Sequence, residues 1–283
     1  MTPTNLLIFG NGYSGGAIAS LAIQHGIPTT ITSRSPSAQP RIIPFAQAEG
    51  AIAAATHIIA TAAPDDQGDP ILTRYTGAIA AAPQLQYIGY LSTTGVYGNR
   101  DGAWVDEDTT PTPQSTRAQR RLAAEIAWSQ LAENKILDIF RLAGIYGPGR
   151  SMFDDLRDGT ARRVVKPGHL FGRIHIEDIA LGVLTAMLRK PEAGTSIFNF
   201  SDDEPAASAD VVVEAARLLG VSPPEPVPFE QARLKMSPLG RSFWAENRRV
   251  SNAKTKAALN LTWRYPTYRE GLAAILCKET KSA

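Results

Sequence analysis

The chain has 283 residues, 43% hydrophobic and 20% charged, with a net charge of +2 at pH 7. That balance excludes disorder, and with no long basic stripe and no solenoid-period repeat it gives no argument for nucleic acid as a partner. The opening "MTPTNLLIFG" has no basic n-region, and its apolar run is too short for a signal peptide or a membrane span, so a cytoplasmic protein with no membrane partner is expected.

In chain order, short apolar runs alternate with helical patterns. "NLLIFG" (5–10), "TTITS" (29–33), "RIIPF" (41–45), "HIIATAA" (57–63), "QYIGYLST" (86–93) and "LDIFRLAG" (137–144) predict buried strands bounded by Gly, Pro or polar residues. Helices are predicted over 15–25, over 70–81 with Asp69 as N-cap and Pro70 at N1, and over 116–131. Between Ser33 and Arg41 the chain is too short and too rich in proline for a crossover helix. The βαβ alternation predicts an α/β fold, a Rossmann-type doubly wound parallel sheet.

Beyond residue 150 the pattern changes. "MFDDLRDGT" reads as helix, "RRVVK" and "LFGRIHI" as short strands, and "IEDIALGVLTAMLRK" (176–190) as an amphipathic helix. A strand "SIFNF" (196–200), a helix over 208–220, a proline-rich joint "VSPPEPVPF" and a final helix "REGLAAILCKET" follow. These predict a dinucleotide-binding domain over 1–150 and a smaller, mainly helical substrate-binding lobe over 151–283, with 173–190 packing back on the first domain. A cleft between the two is the expected binding place. Cys277, the single cysteine, excludes an intramolecular disulfide and a cysteine-based zinc site; no metal site is expected, and an apolar helix makes its burial the default.

"IFGNGYSGGAIA" sets Gly10, Gly12 and Gly15 in GxGxxG spacing between a strand and a helix. The glycines allow a tight turn and close approach of backbone to pyrophosphate, while Tyr13, Ser14 and Gly15 bring N–H donors at the helix start. A purely structural glycine turn is the other reading. At the end of the second strand, "TSRS" offers Ser33 and Arg34 instead of an acidic residue, and a guanidinium suits a 2′-phosphate. NADP is therefore expected ahead of NAD, unless Arg34 only stacks on adenine or meets solvent. In "TAAP", Thr61, Ala62 and Ala63 are small enough for backbone to approach the cofactor, whereas turn and cap duty explains Asp65, Asp66 and Asp69.

"YLSTTGVYG" (90–98) resembles the extended short-chain dehydrogenase/reductase family, the sugar-nucleotide epimerases and dehydratases. "RLAGIYGPG" (141–149), "RIHIEDIALGVL" (173–184), "FNFSDDEP" (198–205) and the closing "RRVSNAKTKAALNLTWRYPTYREGL" extend the resemblance over nearly the whole chain, toward a bacterial branch of epimerase-like proteins. The resemblance implies that Thr93, four positions before the VYG tyrosine, touches substrate and helps proton transfer. It further implies that the backbone of Leu142, Ala143 and Gly144 receives the nicotinamide end, and that His175 and Asp178 belong to a motif that mostly anchors the lobe boundary.

In "TRAQRRLAAE" (116–125), Arg117 and Arg121 share a helix face at i, i+4, which on its own reads as a solvated face. Relatives carry YxxxK followed by "KLxxE" here, so the resemblance puts Arg121 at the lysine position and Arg117 at the tyrosine position. Arginine stays protonated and cannot exchange a proton near neutral pH, so the usual acid/base pair is missing. Arg121 keeps the ability to donate to a ribose hydroxyl, and Arg117 to meet an anionic small-molecule substrate. Tyr97, Tyr13 and His175 are the alternative proton donors. The implied function is an NAD(P)-binding epimerase/dehydratase-like oxidoreductase, with a catalytically inactive NADP sensor as its rival. Helices 70–81 and 116–131 are the expected contact if the monomer forms a homodimer.

Overall fold

The computed structural model describes residues 4–189 and 191–282. The first elements are β1 (Leu6–Phe9), α1 (Tyr13–Gln24), β2 (Thr29–Ser33), β3 (Ile42–Pro44), α2 (Glu49–Ala54), β4 (His57–Ala60), α3 (Pro70–Ala80) and β5 (Tyr87–Thr93). Next come β6 (Trp104–Val105), α4 (Thr116–Leu131), β7 (Ile136–Leu142), β8 (Gly144–Tyr146), α5 (Met152–Arg157), β9 (Arg163–Val165), β10 (Arg173–His175) and α6 (Ile176–Leu188). The chain ends with β11 (Gly194–Phe200), α7 (Ser208–Leu219), β12 (Pro226–Pro228), α8 (Phe229–Ala232), α9 (Pro238–Phe243), β13 (Arg249–Val250), α10 (Ala253–Leu259) and α11 (Tyr268–Ser282).

A seven-stranded sheet in the order β11-β7-β5-β4-β1-β2-β3 forms the centre of the fold. Its strands run parallel, with Phe9 level with Thr32 and Ala60, and Thr93 level with Leu142. The order reverses at β1, from which β2 and β3 lie on one side and β4, β5, β7 and β11 on the other. That reversal opens a crevice at the carboxyl ends of β1 and β4, where open α/β sheets take ligands. As expected, no helix joins β2 to β3; a short helix follows β3 instead, and β3 carries Pro44 at the sheet edge, where its missing N–H costs no ladder bond.

The chain divides into two compact units: 1–96, 116–142 and 179–198 form the first, and 97–115, 143–178 and 199–283 the second. Where the sequence suggests one boundary near residue 150, the observed division is interleaved along the chain. The first unit is built on Leu7, Phe9, Ile58, Ile71, Tyr75, Ile88, Tyr90, Trp128 and Leu137, all buried. Asp69 caps α3 as expected, its Oδ1 accepting from the N–H groups of Ile71 and Leu72 at 2.8 and 3.2 Å, while its Oδ2 accepts from Trp128 Nε1 at 3.0 Å. The second unit packs α5, α7 and α11 through Phe153, Val211, Ala215, Tyr268, Leu272 and Ile275. It also carries parallel two-stranded ladders β8–β10, β9–β12 and β6–β13, more strand than a mainly helical lobe implies.

Two expectations about helices change. α6 runs Ile176–Leu188, and the expected end at Lys190 lies outside the described residues. Cys277 is exposed, not buried. The buried stripe of α11 is Tyr268, Leu272 and Ile275, and Cys277 lies two positions beyond, turned about 200° from it. Among the described residues no helix is long and apolar enough to cross a membrane.

Candidate functional site

The turn from β1 to α1 is shaped for close approach. Gly10 has φ +113°, and a Cβ there would lie 2.4 Å from Thr61 Oγ1. A Cβ on Gly15 would lie 2.0 Å from the Gly10 carbonyl oxygen, so helix and turn touch backbone to backbone. Gly12 differs: it is the N-cap of α1 in extended geometry, and a Cβ there would meet nothing within 4 Å. α1 starts at Tyr13, two residues earlier than the sequence suggests, with no side-chain cap and no acidic residue in its first turn. The N–H groups of Tyr13, Ser14 and Gly15 are thus the first donors of a twelve-residue helix, open on the side where Gly12 has no side chain. A dinucleotide pyrophosphate fits this cradle in shape and sign.

Two threonine hydroxyls fix the cradle, that of Thr61, a sequence candidate for its backbone, and that of Thr32, which is not among the candidates. Thr61 Oγ1 donates to Phe9 O at 2.8 Å, and Gly10 N–H donates to Thr32 Oγ1 at 3.3 Å. β4 stops at Ala60, so Thr61, Ala62 and Ala63 form the loop beside the turn instead of continuing the strand to residue 63. At the end of β2, Ser33 Oγ accepts from Ser35 N–H at 3.1 Å, and Arg34 is exposed.

At the end of β5, Thr93 is half-buried, with its Oγ1 accepting from Gly95 N–H at 3.1 Å. α4 lies beside this turn, a Cβ on Gly95 standing in ordinary van der Waals range of Ala118 Cβ at 3.8 Å. Arg117 and Arg120 are exposed in the first two turns of α4, whereas Arg121 is half-buried. Arg121 Nη1 donates to Leu91 O at 2.7 Å, to Tyr90 Oη at 3.1 Å and to Ala62 O at 3.3 Å. Of the pair expected on a solvated face, Arg117 is exposed and Arg121 is not. Burial pushes the Tyr90 phenol above its usual value, with Arg121 acting in the opposite direction. Tyr90 is accordingly protonated at neutral pH.

One turn further along α4, Glu125 is buried against Arg141 of β7. Its carboxylate accepts from Arg141 Nη2 at 2.8 Å and Nε at 3.2 Å, and from Ser92 Oγ at 2.5 Å. This ion pair was missed as a structural element, although a charge inside the apolar run "LDIFRLAG" and the glutamate of "RLAAE" were both visible. Arg121 and Glu125, one turn apart on α4, thus bond Tyr90, Leu91 and Ser92 at the end of β5, and Trp128 bonds Asp69 at the start of α3.

The remaining candidates divide between the units. Leu142, at the end of β7, is paired in register with Thr93. In the second unit, Ala143 N–H donates to Phe200 O at 2.9 Å, and Gly144 N–H donates to Gly172 O at 3.1 Å. Asp178 is structural, its two oxygens accepting from the backbone N–H groups of Arg264 and Tyr265 at 2.7 and 3.0 Å. His175 is buried against Tyr146 and Tyr265, and burial lowers its pKa to about 4. Tyr97 is buried, with its hydroxyl donating to Asn199 Oδ1 at 2.8 Å. Neither is set up as a proton donor at neutral pH: His175 is uncharged there, and the Tyr97 hydroxyl proton is held in a buried bond. Tyr13 is half-buried at the first position of α1.

No family model matches the chain. A functionally unknown conserved protein from Silicibacter pomeroyi DSS is 41% identical, covers 98% of this chain and 99% of its own, and superposes with a TM-score of 0.89. Protein YeeZ of Escherichia coli (strain K12) is 32% identical over 146 residues, 52% of this chain and 51% of that protein. A 3-diazoavenalumate denitrifying reductase of Streptomyces sp is 28% identical over 166 residues, 56% of this chain and 52% of that protein. The chain thus spans about half the length of the curated relatives it matches. The same fold recurs in MoeE5 in complex with UDP-glucuronic acid and NAD (TM-score 0.82, 19% identity, 99% of this chain and 100% of that one). It recurs also in human epimerase family protein SDR39U1 with NADPH (TM-score 0.77, 19% identity, 96% and 99%). The chain shares the Rossmann-type α/β fold of these solved proteins. α4 of this chain carries Arg117 and Arg121 four residues apart.

Proposed function

We propose that the protein is a cytoplasmic NADP-dependent oxidoreductase of the epimerase/dehydratase-like type, acting on a small anionic molecule such as a sugar nucleotide. The observation that carries the reading is the cradle of Gly10, Gly12 and Gly15 at the uncapped start of α1. There Tyr13, Ser14 and Gly15 would bind the pyrophosphate, Ser33 and Arg34 the 2′-phosphate, and the backbone of Thr61, Ala62 and Ala63 the middle of the cofactor. Arg121, Leu142, Ala143 and Gly144 would hold the nicotinamide half. The first unit carries the glycine turn together with Thr93, Arg117 and Arg121, and so would supply the cofactor cradle and the proposed substrate contacts. A bound nicotinamide would supply or accept a hydride.

Thr93 and Arg117 are the proposed substrate contacts. Arg117, Arg120 and Arg121 lie in the first two turns of α4 with no acidic residue in its first turn. Cations near a helix N-terminus cost about 0.3–1 kcal/mol each unless an anion joins them, which favours a negatively charged ligand. Neighbours solved with NAD and with NADPH support a nicotinamide dinucleotide, and Arg34 favours NADP. Replacement of tyrosine and lysine by arginine also favours a second reading, a non-catalytic NADP sensor. A monomer is the simplest state, with α3 and α4 as the surface for a homodimer. Titrating NADPH fluorescence with the protein tests the binding, and the absence of any binding refutes both readings. Reduction of bound NADP by a panel of sugar nucleotides, or oxidation of bound NADPH by keto-sugar nucleotides and conjugated acids, separates the enzyme from the sensor.

A further inference from the structure

We infer that Thr61 is a positioning residue whose side-chain hydroxyl holds the glycine turn in binding shape from the end of β4, and that neither a methyl group nor an empty space in its place does so. The inference rests on the proposed cofactor site and adds a side chain where that reading uses only the Thr61 backbone. β1 lies between β2 and β4 in the sheet, so the turn that leaves it is reached from both sides. From β2, Thr32 Oγ1 takes the Gly10 N–H at 3.3 Å. From the end of β4, Thr61 gives Phe9 O two donors, its N–H at 3.0 Å and its hydroxyl at 2.8 Å. Gly10 O stands 3.5 Å from the same hydroxyl, which has one proton and commits it to the shorter bond.

The hydroxyl also fills a space. Its oxygen lies 2.4 Å from where a Cβ on Gly10 would stand and 3.3 Å from where one on Gly15 would stand. Two missing side chains and one oxygen thus share a small volume in the angle between the turn and α1. Gly10 holds φ +113° there, and because glycine is conformationally permissive, groups outside the residue must select that angle. Valine has the shape of threonine without its chemistry. In the rotamer that Thr61 holds, a methyl in place of Oγ1 would stand 2.8 Å from Phe9 O, inside the roughly 3.3–3.6 Å at which carbon meets a carbonyl oxygen, so the turn or the strand end must move. Alanine leaves the volume empty and Phe9 O with one donor, whereas serine keeps both the oxygen and its proton. Serine is therefore the tolerated replacement, while strand propensity, which favours valine and threonine and disfavours alanine, would put valine first.

Isothermal titration of NADP into wild type, Thr61→Ser, Thr61→Ala and Thr61→Val tests the inference, with melting temperatures as the control for folding. Thr61→Ser should bind within threefold of wild type, and Thr61→Ala and Thr61→Val at least tenfold more weakly. The alanine variant, which introduces no clash, carries the test should the valine variant fail to fold. Wild-type affinity in folded Thr61→Ala or Thr61→Val, even with a lowered melting temperature, overturns the inference, because the hydroxyl would then serve stability alone. A serine variant as weak as the valine one overturns it too. Failure of the wild type to bind NADP overturns the cofactor site itself, and the role of Thr61 with it.

Discussion

The glycine turn makes a prediction that separates folding from binding at positions three residues apart. At Gly12, φ is −85° and ψ −170°, which valine adopts without strain, and a Cβ meets no protein atom within 4 Å. Gly12→Val should cost only about 1 kcal/mol, for a poorer N-cap, and lower the melting temperature by about 2–4 °C. Its side chain fills the space in front of the Tyr13 and Ser14 N–H groups. Losing two charge-assisted hydrogen bonds at about 1.5–3 kcal/mol each predicts a 10²- to 10⁴-fold weaker NADP complex, at roughly tenfold per 1.4 kcal/mol. Gly15→Ala should behave in the opposite way. Its Cβ would lie 2.0 Å from the Gly10 carbonyl oxygen, so the backbone must shift, at about 1–3 kcal/mol or more. Differential scanning fluorimetry and isothermal titration on both variants read the two effects. Gly12→Val binding NADP within threefold of wild type would falsify the assignment of this turn to the cofactor.

Arg34→Ala should remove about 1–3 kcal/mol of NADP affinity while leaving NAD affinity unchanged, and equal wild-type affinities for the two cofactors would sink the specificity argument. Glu125→Ala leaves Arg141 charged in a site where the two side chains are only 4% and 3% exposed, so chemical denaturation should show about 3–5 kcal/mol of destabilisation. A loss below about 1 kcal/mol would mean that water reaches the pair. Burial lowers the His175 pKa from 6.5 to about 4, so the unfolded chain binds a proton there that the folded chain refuses. The stability that depends on neutral His175 is full at pH 7 and is lost as pH falls from about 6.5 toward 4, amounting to about 2 kcal/mol at pH 5. His175→Gln should therefore flatten the fall in stability between pH 7 and pH 5 relative to wild type, and parallel pH profiles would contradict the burial argument.

The sheet was legible because period and punctuation agree in its strands. "TTITS" and the helix over 116–131 emerge with the expected bounds, and the glycine turn follows its strand as GxGxxG requires. Boundaries failed where a local hydrogen bond or backbone geometry, not propensity, decides them. β4 ends early because Thr61 turns back to bond Phe9 O, and α1 starts early because Gly12 supplies its N-cap. The division into units could not be read from a single composition change, since 97–115 and 179–198 each join the unit of residues distant in sequence. Cys277 misled because an apolar helix has an outer face as well as an inner one. Within the candidate site, the sequence singles out Arg121 but not the groups it bonds. Backbone carbonyls such as Leu91 O and Ala62 O carry no residue-type signal, so only the fold reveals what the guanidinium binds.

A crystal structure of the protein with NADP tests the central claim most directly. The account predicts the pyrophosphate oxygens within hydrogen-bond distance of the Tyr13 and Ser14 N–H groups, the 2′-phosphate beside Arg34, and the nicotinamide ribose beside Arg121. A cofactor bound away from the Gly10–Gly15 turn, or one whose ribose leaves Arg121 to solvent, would contradict it.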